Sequence, residues 1–195
     1  MPHFAQRSLL SLALVISTAG AQAASVACTA GVTGCDFAND GVFPAQGQEW
    51  LTETAWWQGL TDAVTFDLGG TKVLTGVELS LDNNDSYVID VSSDGITWTS
   101  LAAVGQNQGS VGWGMDRFST QADSPFFLNS LTFAPTQAAF VRVMATGGDN
   151  LYSVGEVALN VSAVPEAGTV TMLVSGLAAL GGLSAVSRRR KQSGA

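Results

Sequence analysis

Apolar residues recur at every second position through most of the middle of the chain. In the run from Val73 to Leu81, Val73, Val77, Leu79 and Leu81 fall on one face, with Glu78 and Ser80 on the other. Tyr87, Ile89 and Val91 repeat the pattern around Val88 and Asp90. A period of two places alternate side chains on opposite faces of a strand, so both runs predict half-buried β-strands. Further strands are predicted over 63–68, 97–104, 126–133, 140–145 and 156–161. The breaks carry turn chemistry: Gly69-Gly70, Asp82-Asn83-Asn84-Asp85, Ser93-Asp94-Gly95 and Gly147-Gly148-Asp149-Asn150. No long amphipathic helix is evident, and short strands at this spacing predict an all-β sandwich or barrel.

The two ends break the pattern. His3 and Arg7 precede an apolar stretch from Leu9 to Ile16, and Ala21-Gln22-Ala23 supplies a small-x-small cleavage pattern. Residues 1–23 are therefore expected to be a signal peptide removed by signal peptidase, with a core too short for a permanent span. At the other end, Val164, Pro165 and Glu166 precede an uncharged run over 167–187, closed by Arg188, Arg189, Arg190 and Lys191. The run meets the length of about 18–20 residues that a membrane helix needs, and a transmembrane helix is expected over about 168–187. The basic cluster is expected to stay cytoplasmic, so that the domain at 24–163 faces outward. Membrane attachment through this helix, with the basic end as a stop, defines the segment 164–191.

Setting the ends aside changes the charge. The whole chain carries −8, but residues 24–163 hold fifteen Asp and Glu against Lys72, Arg117 and Arg142, a net −12. Such a domain repels nucleic acid, and no nucleic-acid partner is expected. It can attract cations. Cys28 and Cys35 are the only cysteines. In an exported chain they are expected to pair as a disulfide closing a small loop. Lipidation of Cys28 is the alternative, but Ser25-Val26-Ala27 lacks the leucine usual before a lipidated cysteine.

Catalysis finds little support. His3, the only histidine, leaves with the signal peptide, which excludes Ser-His-Asp and Cys-His arrangements and histidine zinc sites. No glycine-rich phosphate loop is present. Paired carboxylates could still serve a glycoside hydrolase, yet nothing marks a particular pair. The expectation is a non-enzymatic protein.

Two family resemblances follow from these residues. Val164-Pro165-Glu166, the span and the basic cluster together look like a PEP-CTERM sorting signal, although Ala167 stands where that motif usually has a second proline. The resemblance implies a Gram-negative source and an exosortase-type transpeptidase as partner. It also implies inner-membrane anchoring facing the periplasm, followed by release to the cell surface or extracellular matrix. Phe66-Asp67-Leu68-Gly69, the run Tyr87 to Trp98 containing Ser93-Asp94-Gly95, Phe140-Val141-Arg142-Val143 and Ser153-Val154-Gly155-Glu156-Val157 occur in order. This series resembles the discoidin or coagulation-factor type C domain, a galactose-binding-like jelly-roll sandwich, over residues 36–161. The resemblance implies a structural calcium held by Asp40 and Glu156. The alternative is that Asp40 caps a turn and Glu156 binds a backbone amide. Asp82, Asn83, Asn84 and Asp85 are either a solvated turn or a polar rim for a glycan. Trp50, Trp56, Trp57 and Trp113 are either core or sugar-stacking faces. The functional expectation is an exported carbohydrate-binding or adhesion module that meets a glycan or exopolysaccharide. The alternatives are a purely structural matrix protein or a glycoside hydrolase.

Overall fold

The computed structural model describes residues 24–164. The expected signal peptide, Pro165, Glu166, the expected membrane helix and the basic cluster lie outside the described residues. Within them, no helix is long and apolar enough to cross a membrane.

Among the described residues eight strands follow one another: β1 (Ser25–Cys28), β2 (Ala55–Gln58), β3 (Ala63–Asp82), β4 (Ser86–Ser92), β5 (Thr99–Val104), β6 (Met115–Ser119), β7 (Thr136–Gly147) and β8 (Leu151–Ala163). Two short 3-10 turns, Cys35–Asn39 and Asn129–Leu131, are the only helical segments among the described residues. All strand pairings between these elements are antiparallel.

β3 organises the sandwich. Its first half pairs with β1 and β7, and its second half with β8 and β6. One layer therefore runs β1-β3-β7-β4-β5 and the other β2-β8-β3-β6, joined where β3 passes from one to the other. The passage lies at Gly69-Gly70, both at positive φ (68° and 119°), where the register with β7 shifts between Asp67 and Lys72. The turn expected at these glycines is thus a bulge inside one long strand. Bulges bend a strand and raise its twist, which lets β3 serve both layers. A second irregularity, between Leu74 and Gly76, reverses the inward face. Leu74 is consequently fully buried and Val73 only half-buried, whereas strict alternation had placed Val73 inward. Val77, Leu79 and Leu81 face the core as expected, as do Tyr87, Ile89 and Val91. Phe66, Val141 and Val143 from one layer meet Leu79, Val154 and Val157 from the other in a single apolar core.

The expected strand at 126–133 does not form. Pro125 has no N–H to offer a ladder. Phe127 N–H instead turns back to Ser124 O (3.2 Å), and the segment continues into the Asn129–Leu131 turn. The Ser93-Asp94-Gly95 hairpin forms as expected. Asp94 Oδ1 accepts N–H groups from Ile96 and Thr97 (2.8 Å each), and these bonds lower its pKa to about 2. Trp98 lies beneath the Arg142 guanidinium, 4.2 Å from it. Cys28 and Cys35 form a disulfide that ties β1 to the first 3-10 turn.

Candidate functional site

One end of the sandwich collects four connections: the segment 44–54 before β2, the β3–β4 turn, the long β5–β6 loop at 105–114, and the β7–β8 turn. Backbone bonds clamp them together. Gly47 N–H binds Met115 O (2.8 Å) and Met115 N–H binds Gln48 O (2.9 Å). Asn83 N–H binds Gly114 O (3.0 Å), and Asn107 N–H binds Asn83 O (2.7 Å). The Asn83 side chain completes the clamp. Its amide donates to Val111 O, and its Oδ1 accepts Gly109 N–H at 3.1 Å. Buried Asp116 holds the same loop by accepting from Ser110 N–H, Val111 N–H (3.0 Å) and the Gln46 amide (2.6 Å). This polar framework fixes an otherwise irregular loop, because each buried acceptor must find a donor.

Burial corrects the expectation for Asp82, Asn83, Asn84 and Asp85. Asp82, Asn83 and Asp85 are buried, and only Asn84 is half-exposed. Asp82, Asn83 and Asp85 are thus neither a solvated turn nor an open rim; they shape the loop end from beneath. Asp85 Oδ1 accepts Asp149 N–H at 3.1 Å, and Asn84 donates its amide to Asp149 Oδ2 at 3.0 Å. The β3–β4 and β7–β8 turns are thereby joined. Gly148, at φ 144°, lets the second turn approach, since a Cβ there would strike the Asp85 carboxylate. Tyr87 Oη donates to Asp85 Oδ2 (3.4 Å) and accepts Ser153 N–H (3.0 Å).

The three carboxylates at this junction are mutually unfavourable. Burial pushes Asp82 up to about 6, with the Asp149 charge adding to it. Burial also pushes Asp85 up to about 7, helped by the charges of Asp82 and Asp149. Asp82 Oδ1 has no hydrogen-bond partner. Both arginines among the described residues are engaged elsewhere. Arg117 pairs with Glu78 (2.7 Å) between the rings of Phe43 and Phe126, and Arg142 pairs with Asp90 (2.6 Å). Neither arginine has a partner legible in the sequence. Arg142 and Asp90 face each other because β7 and β4 are in register there, a long-range fact that local pattern does not carry.

The tryptophans divide. Trp57 is fully buried. Trp50 and Trp56 are half-buried and pack edge to face at 5.9 Å. Trp113, flanked by Gly112 and Gly114 in the β5–β6 loop, is 62% exposed. It is the one tryptophan presented to solvent among the described residues, and it stands at the loop end beside the polar framework.

Asp40 and Glu156 are brought together from distant parts of the chain. Glu156 Oε2 accepts Gly41 N–H at 3.0 Å, and Asp40 Oδ1 accepts Val42 N–H at 2.8 Å. Burial raises the Glu156 pKa, and the Asp40 charge raises it further. Both residues thus act as turn and amide acceptors. Among the described residues no group of three or more His, Cys, Asp or Glu is gathered as a metal site. Any calcium here would take its remaining hard oxygen ligands from backbone carbonyls, which suit that ion.

No protein-family model matches the chain, and no curated protein matches it. Solved structures do. A CBM32 carbohydrate-binding module of AlyQ, in complex with 4,5-unsaturated mannuronic acid, is 19% identical with a TM-score of 0.50, covering 70% of this chain and 93% of that one. A family 89 glycoside hydrolase from Clostridium perfringens, in complex with 2-acetamido-1,2-dideoxynojirmycin, is 18% identical with a TM-score of 0.50, covering 75% of this chain but only 15% of the hydrolase. At these identities the likeness is one of fold: this chain shares the antiparallel β-sandwich of that CBM32 module.

Proposed function

We propose that this protein is an exported, non-catalytic carbohydrate-binding module whose loop end grips a glycan. The observation that carries this reading is Trp113, an exposed aromatic face held by a rigid loop among side chains that donate and accept hydrogen bonds. Sugars present apolar C–H faces that stack on such rings and hydroxyls that pair with amides and carboxylates. Asn84 and Gln106 offer polar groups at the same loop end, with Gln106 donating to Asn84 O at 2.9 Å. The fold shared with a module solved on a sugar ligand supports the same reading.

A glycan array with the purified protein tests it. Binding to a defined glycan class is expected, and Trp113→Ala is expected to weaken it about tenfold, the loss of roughly 1.4 kcal/mol of stacking. Absence of binding to any glycan would leave a structural envelope or matrix role.

The reading extends to calcium and to sorting. A calcium ion held by Asp40, Glu156 and loop carbonyls would brace the segment before β2 against β8. Calcium is then expected to raise the melting temperature, because a ligand selective for the folded state stabilises it. Glu156→Gln is expected to abolish the rise, and an unchanged melting curve with calcium or chelator rejects the site. Residues 164–191 carry Val164-Pro165-Glu166, an uncharged run and a basic cluster in that order. This order supports processing by an exosortase-type transpeptidase, which would leave the exported protein without Arg188 to Lys191. Intact-mass measurement from cells with and without such an enzyme decides this; a tail retained in both means a permanent anchor.

A further inference from the structure

The charge of the loop end narrows the ligand class. Glu49 and Asp149 are exposed there, and Asp82 and Asp85 are buried behind them. Asp149 is satisfied by the Asn84 amide and Leu151 N–H, and Glu49 by the Thr52 hydroxyl. All of these partners are neutral. Asp82, 3% exposed, keeps one carboxylate oxygen without any partner. Asn84, two residues on, binds the Asp149 carboxylate at 3.0 Å, and Met115, opposite Asp82 in the β3–β6 pairing, binds Gln48 O next to Glu49, so three separate connections bring carboxylates to one end. No cation answers it among the described residues. Arg117 and Arg142 are locked to Glu78 and Asp90, and Lys72 lies far down β3, paired in register with Ala138 and Ala163.

We propose that the loop end takes a glycan whose units carry protonated amino groups, with Trp113 stacking on a sugar face and Glu49, Asp149 and Asp82 supplying the negative field for the ammonium groups. This proposal rests on the carbohydrate-binding reading above. A uronic-acid glycan would meet repulsion at this surface, and a neutral glycan would leave the carboxylates facing one another. An ammonium group held at Glu49 and Asp149 offsets the repulsion between them and the buried Asp82 charge behind. It would also interact favourably with the ring of Trp113.

The test compares a glucosamine hexamer, an N-acetylglucosamine hexamer, an oligouronate and spermidine by calorimetry at pH 7 in 0.15 M salt. At that ionic strength charges beyond about 8 Å are screened, so a preference reports the local carboxylates and not the overall negative charge. The glucosamine hexamer is expected to bind at least tenfold more tightly than the acetylated one. Glu49→Gln with Asp149→Asn should remove that preference, while Asp67→Asn, far down β3, should not. Trp113→Ala should weaken the glucosamine hexamer about tenfold. Equal or tighter binding of the acetylated hexamer or the oligouronate, still dependent on Trp113, overturns the amino-glycan assignment and keeps the carbohydrate-binding reading. Spermidine binding as tightly as the hexamer, or hexamer binding indifferent to Trp113→Ala, means general charge attraction and also overturns it. No binding of any glycan removes both readings.

Discussion

Trp57→Ala is expected to lower the unfolding free energy by about 3–5 kcal/mol, the range for deleting a large buried aromatic. Trp57 is fully buried, with its ring 6.0 Å from Tyr152 and 6.4 Å from Tyr87. Those two rings also meet each other edge to face at 6.3 Å. Removing the indole opens a cavity between them and takes away the favourable edge contacts, and a sandwich core cannot close over a gap of that size. The position magnifies the loss. β2 has four residues and pairs with β8, and Trp57 is opposite Tyr152 in that pairing. Trp57 is therefore the main apolar anchor of this short strand and of the segment 44–54 that enters it. Urea unfolding with linear extrapolation measures the change. Trp57→Phe should cost less, since it leaves a smaller void. Trp113→Ala should stay within about 0.5 kcal/mol of the parent, as surface substitutions do. A loss under about 1 kcal/mol for Trp57→Ala would contradict this packing.

The contrast between these two tryptophans shows where sequence pattern stops. The four candidates for core or platform have no local signal that separates them. Trp56-Trp57 sits in a strand too short for alternation to be visible, and Trp113 sits in a glycine-flanked loop. Burial is decided by which strands pair. The alternating runs around Leu79 and Ile89 were legible because each spans several residues with one wet face. Val73 was misplaced because a bulge at residue 75 shifts the phase, and a one-residue shift exchanges faces. β1, β2 and β6 went unseen because four or five residues give too few alternations. The pairing of Asp40 with Glu156 was legible only through family resemblance, since 115 residues separate Gly41 from the glutamate that binds its amide. The burial of Asp82, Asn83 and Asp85 was invisible for the opposite reason. A cluster of Asp and Asn reads as a wet turn, and only the loop folded over it makes it interior.

That buried acidic turn makes stability fall as pH rises through neutrality. Asp82 and Asp85 have folded pKa values of about 6 and about 7, above the ordinary carboxyl value of 3.8. Between pH 5 and 8 the unfolded chain has both ionised, while the folded chain still binds protons in the lower part of that range. The folded state holds more protons, so the slope of unfolding free energy with pH is negative there. The favourable contribution is complete below about pH 4 and is lost as pH climbs through 6 and 7. With about 1.4 kcal/mol per pKa unit, the expected fall from pH 5 to pH 8 is about 2–4 kcal/mol. The groups facing this pair are Asp149 and Tyr152 from the β7–β8 side, Tyr87 from β4 and Glu49 from the segment before β2, none of them cationic. Glu156, whose pKa is also raised, acts in the same sense. Asp94, lowered to about 2, acts in the opposite sense, but below the window. No histidine lies in 24–164 to confuse the titration. Asp85→Asn keeps an acceptor for Asp149 N–H and removes one ionisation. It should match the parent near pH 5 and exceed it by about 1–3 kcal/mol at pH 8. A bound cation or amino-glycan should flatten the parent's profile by favouring the ionised carboxylates. Denaturant unfolding from pH 5 to 8, with calcium chelated, tests this; a flat or rising profile means that these carboxylates ionise freely in the folded state.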